Sequence, residues 1–248
     1  MTLSVPSADL STSDAVPAQD VLLFAIAALL ERRDADTPQH LLRMQSYVTV
    51  LVQALGQQAA FAATLSPSYV AQLMRAVLVY DMGTLAIAER VLLKPGRYNH
   101  EDRLAMQSHT VRGHDALEQA EKMLGYADPG VQIAKELALS HHEHWDGQGY
   151  PNKLHGQAIP LSARLVAVAD VYDAMVSHKV YKAGVSHAQA VAQIAAERGG
   201  QFDPDVVDAF LKHADAFDAI AKRHADSDLD MQNKMEFLAT AVAETVNA

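Results

Sequence analysis

The chain has 248 residues, half of them hydrophobic and only 6% aromatic, with a formal net charge of −10 and no cysteine. That length holds one large domain or two small ones. Without cysteine there are no disulfides or thiolate metal sites, which agrees with a reducing cytoplasm, and an acidic chain with no basic stripe is excluded as a general nucleic-acid binder.

The first twenty residues carry three Asp and no Lys or Arg, the wrong charge for a secretory signal, so residues 1–19 are expected to be a flexible tail. The apolar run Val21 to Leu30 stops at Glu31-Arg32-Arg33, short of the roughly 20 residues needed to span a bilayer, and no membrane association is expected. It reads instead as a helix, Val21–Arg33, with Asp20 as its N-cap. Thr37-Pro38 opens the next helix, with Leu41, Met44, Val48, Leu51, Val52 and Leu55 on one face and Gly56 at its end. Ser66-Pro67 starts another that runs towards Gly83. After the turn Lys94-Pro95-Gly96 come Glu101–Leu124 and Val131–His144, then a loop dense in turn residues from Asp146 to Pro151. Ala163–Ser177, His187–Arg198, Asp205–His213 and Met231–Val246 complete the helices. No stretch has sustained two-residue period and no linker divides the chain, so residues 20–248 are expected to form one all-α domain.

Twelve histidines are many for this length, and their grouping carries the chemistry. His141 and His142 are adjacent at a predicted helix end. They point in different directions along a helix, so both can ligate only at its terminus or on more than one ion. Neutral imidazoles with carboxylates suit Mn, Fe, Co, Ni or Zn better than Mg or Ca alone. A His-His pair by itself is more often two surface residues. Here it begins the run His141-His142-Glu143-His144-Trp145-Asp146-Gly147-Gln148-Gly149-Tyr150-Pro151.

That run resembles the HHExxDGxGYP signature of the HD-GYP family at every specified position. The resemblance extends over about 36–210. Asp36-Thr37-Pro38-Gln39-His40 is similar to the family's ETGxH, Tyr80-Asp81-Met82-Gly83-Thr84 stands in the place of HDxGK, and Leu93-Lys94-Pro95-Gly96 resembles LKPG. Ser108-His109-Thr110 with Gly113 resembles HTxxG, and Val166 to Ala174 resembles VAVADxxDA. Ser177 to Lys182 stands where the family has SxRPYK, and Gly200 to Pro204 matches GxxFDP.

The resemblance implies a single helical HD-domain bundle with a metal site between its helices. It also implies two or three divalent transition-metal ions, iron or manganese foremost with zinc, nickel and cobalt as alternatives, and hydrolysis of cyclic di-GMP or a related cyclic dinucleotide to pGpG and GMP. Carried over by position, Asp36, His40, Asp81, His109, His141, His142 and Asp170 are the implied metal ligands, with Asp81 also catalytic; Asp36 and His40, four apart, are expected on one helical face. Gly149, Tyr150, Pro151, Lys179 and Lys182 are the implied substrate contacts. Three positions depart from the pattern: Tyr80 replaces the histidine of the HD pair, Thr84 a lysine, and Asp36 a glutamate. These changes support an alternative function, a domain that binds the cyclic dinucleotide or a signalling protein such as a diguanylate cyclase without turning the ligand over. Seven other histidines, His114, His144, His155, His178, His187, His213 and His224, match no ligand position and are expected to be exposed or locally hydrogen-bonded.

Overall fold

Helices account for the regular structure, and the described residues contain one isolated β-bridge, Arg198 to Phe202, and no strand. The structure, a computed structural model, describes residues 18–33, 36–94, 96–125, 127–177 and 184–246. In chain order the helices are α1 (Ala18–Arg33), α2 (Pro38–Gly56), α3 (Ala59–Ala62), α4 (Pro67–Ala76), α5 (Glu89–Leu92), α6 (His100–Gln107), α7 (His109–Leu124), α8 (Pro129–Ser140), α9 (Leu161–Val176), α10 (His187–Ala196), α11 (Pro204–Lys212), α12 (Ala214–Arg223) and α13 (Asp228–Val246). Residues 1–17 of the expected tail lie outside the described residues, and α1 begins at Ala18, just before the expected start.

Proline at the first turn starts α2, α4, α8 and α11, where the missing N–H would have had no partner within the helix. Asp128 caps α8 by accepting from Gly130 and Val131, and Ser186 forms a capping box with Gln189 on α10. Helix α2 is central: it lies against α1, α9, α11 and α12, while α8 bridges α4, α7 and α9. Helix α9 is apolar on nearly every side and buried, with Leu165, Val166, Val168 and Ala169 all inaccessible. Below it Tyr47, Tyr172, Phe210 and Phe217 form an aromatic cluster, Tyr47 stacked on Phe217 at 4.6 Å and Tyr172 edge-on to Phe217 at 5.2 Å. This cluster anchors the α9 turn that carries Asp170 and Asp173.

Several expected boundaries are corrected. Glu101–Leu124 is two helices divided at Ser108, whose hydroxyl turns back to donate to the Ala105 carbonyl at 2.6 Å. The segment expected to run to Gly83 ends as a helix at Ala76 and tightens into 3₁₀ turns, Val77–Val79 and Met82–Ala86. Helix α8 stops at Ser140 and not at His144. Helix α12 was not anticipated. The second 3₁₀ turn presses so closely on α7 that a Cβ on Gly83 would lie 1.9 Å from the His109 carbonyl oxygen, which only glycine allows.

Candidate metal centre

Because α8 ends at Ser140, His141 and His142 occupy the turn that follows it, and their rings lie 4.1 Å apart between centroids. The helix end thus lets two adjacent candidate ligands face the same side. His109 approaches from the first turn of α7. Its Nδ1 lies 2.6 Å from the Met106 carbonyl oxygen, and Nδ1 of His141 lies 2.8 Å from that of Leu137. A carbonyl oxygen only accepts, so each Nδ1 carries the hydrogen and each Nε2 is left with its lone pair. The two Nε2 atoms face each other at 3.3 Å, and Asp81 Oδ1 is 3.3 Å from Nε2 of His109. Three electron-rich atoms thus converge with no proton assigned between the nitrogens. His109, His141 and His142 each offer a ligand atom, all within 4.8 Å of one another.

Protonation does not relieve this crowding. Burial, with His109 nearby, pushes His141 down to about 3, and burial with the neighbouring imidazoles holds His142 well below the usual histidine range. Burial also lowers His109. Neutral, inward-facing imidazoles beside a carboxylate form the donor set of a divalent transition-metal ion, so the residues fit the implied group.

The other expected ligands gather across a cavity of about 220 Å³ lined by Glu31, Asp36, His40, Tyr80, Asp81 and Asp170, among others. His40 is oriented from behind: its Nδ1 is 2.8 Å from Asp173 Oδ2, which leaves Nε2 on the far side, towards Tyr80. Arg43 clamps the same carboxylate from Nε at 2.6 Å and Nη2 at 3.0 Å. Burial opposes a charge on His40, but Glu31, Asp173 and Asp36 outweigh it and raise the group to about 10. Tyr80 is buried; its hydroxyl donates to Asp170 Oδ1 at 2.7 Å and lies 3.3 Å from His40 Nε2. Burial and the carboxylates of Asp170 and Asp81 hold that phenol well above its ordinary range, hence protonated. Thr84, in the lysine position, is buried with its hydroxyl on the Asp81 carbonyl at 2.9 Å, so no cation enters from there.

Asp36 and His40 are brought together by a route other than the one expected. Asp36 precedes α2, with Thr37 as N-cap, so the pair does not share a helical face. The Asp36 N–H instead donates to the Glu31 carbonyl at 2.7 Å, and Glu31, Asp36 and His40 form a second group of closely spaced ligand atoms. Lys234 of α13 reaches Asp36 at 2.9 Å and Asp226 at 3.0 Å.

The loop after the histidines is fixed by Glu143. Its buried carboxylate accepts from Asn152 N at 2.7 Å and Leu154 N at 3.0 Å, and Tyr150 N donates to the His142 carbonyl at 3.1 Å. Tyr150 stacks on His142 with centroids 4.8 Å apart. Gly149 passes so near the main chain that a Cβ would lie 2.2 Å from His144 N. Pro151 follows, half-buried. Lys179 and Lys182 lie outside the described residues. His187 meets Tyr172 and His114 meets Asp115, the local hydrogen bonds expected of them.

Sequence reasoning missed Glu31, Arg43, Glu143, Asp173 and Lys234. Asp173 had a signal, since it sits one turn after Asp170 in the same motif, and Glu143 stands inside the most specific one. Among the described residues no helix is long and apolar enough to cross a membrane.

The HD domain family's pattern matches residues 29–206. A probable cyclic di-GMP phosphodiesterase of Vibrio cholerae is 45% identical over 213 residues, covering 86% of this chain and 48% of that protein. A cyclic di-GMP phosphodiesterase response regulator of Xanthomonas campestris is 38% identical over 190 residues, 77% of this chain and 47% of that protein. A 3'3'-cGAMP-specific phosphodiesterase of V. cholerae is 34% identical over 199 residues, 80% and 35%. The chain therefore spans about half the length, or less, of these curated relatives. Among solved structures, a cyclic GMP-AMP specific phosphodiesterase of V. cholerae superposes with a TM-score of 0.55 at 17% identity, over 92% of this chain and 59% of that one. An HD-GYP-type protein of Bdellovibrio bacteriovorus does so with a TM-score of 0.50 at 17% identity, over 78% and 61%. Both show a shared fold.

Proposed function

This chain belongs to the HD-domain family, in its HD-GYP form, and from that premise we propose that it is a metal-dependent phosphodiesterase hydrolysing cyclic di-GMP, or a related cyclic dinucleotide, to pGpG and GMP. The observation that carries the reading is the convergence of His109 Nε2, His141 Nε2 and Asp81 Oδ1 at 3.3 Å spacings beside His142. Identity of 45% to a probable cyclic di-GMP phosphodiesterase supports the substrate class.

His109, His141, His142 and Asp81 would hold a first divalent ion, iron or manganese foremost, with zinc, nickel and cobalt as alternatives. Asp36, His40 and Asp170 would supply a second position, with Glu31 beside them, and His40 would give up its Nε2 proton on binding. When bound, such ions acidify a water and withdraw charge from the phosphodiester oxygens. The chain's own residues do the rest. Asp81 is the catalytic carboxylate, placed beside the histidines where it can hold the attacking water by a hydrogen bond and take its proton. Asp173 fixes His40 with Nε2 forward, and Glu143 fixes the loop. Gly149, Tyr150 and Pro151 form the wall against which a guanine base or its phosphate packs, Tyr150 contributing a ring that burial keeps un-ionised. The family pattern assigns Lys179 and Lys182 as cations for the phosphates.

The test is hydrolysis of cyclic di-GMP by metal-reconstituted protein in Mn(II) and in anaerobic Fe(II), with a His141→Ala, His142→Ala control. Product that disappears in the control supports the reading. A second reading, a module that binds the dinucleotide or a signalling partner such as a diguanylate cyclase without hydrolysis, is favoured by the Tyr80 hydroxyl lying between His40 and Asp170. It is the outcome if protein that holds metal and binds cyclic di-GMP yields no product.

A further inference from the structure

Tyr80 stands between the two halves of the centre. Its ring packs edge-on against His141, with centroids 5.1 Å apart, on the side of the histidine cluster. Its hydroxyl belongs to the other side. The O–H donates to Asp170 Oδ1 at 2.7 Å, and the same oxygen lies 3.3 Å from His40 Nε2. His40 has no second orientation available, since Asp173 holds Nδ1 and Arg43 holds Asp173. The only nitrogen of His40 turned away from Asp173 is therefore the one beside the phenol. Two of the atoms a second ion would need, His40 Nε2 and Asp170 Oδ1, are thus bridged by one neutral hydroxyl.

We propose that Tyr80 is a selective plug: its hydroxyl ties His40 to Asp170 and makes the two metal positions unequal, so that the histidine cluster loads first and the His40–Asp170 position loads only when the Tyr80 hydrogen bond to Asp170 is broken. The proposal rests on the metal centre of the preceding subsection and adds an order of loading to it. A hydrogen bond to an ionised acceptor is worth about tenfold to a hundredfold in an equilibrium that must break it, so the hydroxyl weakens the second position by about that factor and leaves the first untouched. At stoichiometric metal the protein holds one ion, and a second enters only at higher concentration. Hydrolysis that needs both ions then follows metal supply steeply, while ligand binding that needs one does not.

The experiment is a Mn(II) titration of the metal-free full chain, free Mn(II) being read by its electron paramagnetic resonance signal and retained metal by elemental analysis after desalting. Wild type is expected to retain one equivalent and to bind a second at least about tenfold more weakly. Tyr80→Phe keeps the ring on His141 and removes only the hydroxyl; it is expected to retain close to two equivalents, with the first affinity unchanged. A metal-free thermal melt checks that this variant folds, and Tyr80→His, which leaves an imidazole in the same place, gives a second variant with the same expected gain. Two equal equivalents in wild type, or a second affinity that neither variant tightens, overturns the proposal and leaves the phosphodiesterase reading standing. Wild type that binds no Mn(II) at all overturns the plug and the metal centre together, and the hydrolysis assay then reports separately on the activity.

Discussion

Replacing Asp173 by Asn tests whether the buried His40–Asp173–Arg43 cluster supports the acidic side of the centre. Asp173 and Arg43 are 2% and 3% exposed, and the carboxylate takes a hydrogen bond from His40 and two from Arg43. Asparagine keeps the shape but removes the charge and turns an amide N–H₂ towards one of these donors. Removing one partner of a buried pair costs about 3–5 kcal/mol. Arg43 keeps the His224 carbonyl at 2.8 Å and Asp226 at 3.5 Å, so the lower end applies, about 3 kcal/mol. For a chain of this size that lowers the melting temperature by roughly 6–12 °C. The pH dependence follows from the carboxyl itself. Burial opposes its ionisation, but His40 and Arg43 outweigh burial and hold it down to about 2, against an ordinary 3.8. A depressed carboxyl contributes stability above its unfolded value and loses it as pH falls through the folded one. Here the shift is worth about 2 kcal/mol at neutral pH and about half that by pH 3. Urea unfolding of both proteins at pH 7 and pH 3 measures the difference. A variant that unfolds at the wild-type urea concentration at pH 7, or a gap that stays constant down to pH 3, refutes the reasoning.

Three further outcomes are expected. Mn(II) at about a hundred times its Kd should stabilise the wild type by about 2.7 kcal/mol, and His141→Ala should abolish that gain, as read by melting with and without metal. Gly83→Ala would drive a Cβ to 1.9 Å from the His109 carbonyl, so the 3₁₀ turn must part from α7; a loss of about 3 kcal/mol in denaturant and a weaker metal-induced shift are expected. Glu143→Ala strips the acceptor from Asn152 N and Leu154 N, at a cost of about 3 kcal/mol for two donors left unsatisfied, and limited proteolysis should then cut within residues 146–154.

The sequence was most informative where chemistry is packed into short segments. The run from His141 to Pro151 carried the histidine pair, the glutamate that anchors the loop and the tyrosine stacked on His142, so its pattern marked a group of side chains that the fold does bring together. Local periodicity likewise marked α2 and α9, whose apolar faces are long. It failed at Ser108, because a side-chain hydroxyl turning back on a carbonyl leaves the apolar spacing intact while ending the helix. It failed also for Asp36 and His40: spacing of four suggested a shared helical face, whereas Thr37 caps the helix between them and the contact arises from the chain's return from α1. Arg43 and Asp173 lie 130 positions apart, and Glu31 comes from a segment that reads only as the polar end of an apolar run. Pairs of buried charges at such separations leave no local trace, because what makes them favourable is a pocket that exists only after folding.

The Lys234–Asp36 pair joins groups 198 residues apart. During synthesis Asp36 and His40 are in place long before the ammonium that balances Asp36 has been made. A domain folds as a unit, so the acidic side of the centre keeps an unbalanced Asp36 until the last helix has docked. A divalent cation that enters beside Asp36 in the folded protein competes with the Lys234 ammonium for the same carboxylate. The C-terminal helix thus sets part of the cost of metal entry at a position laid down at the other end of the chain.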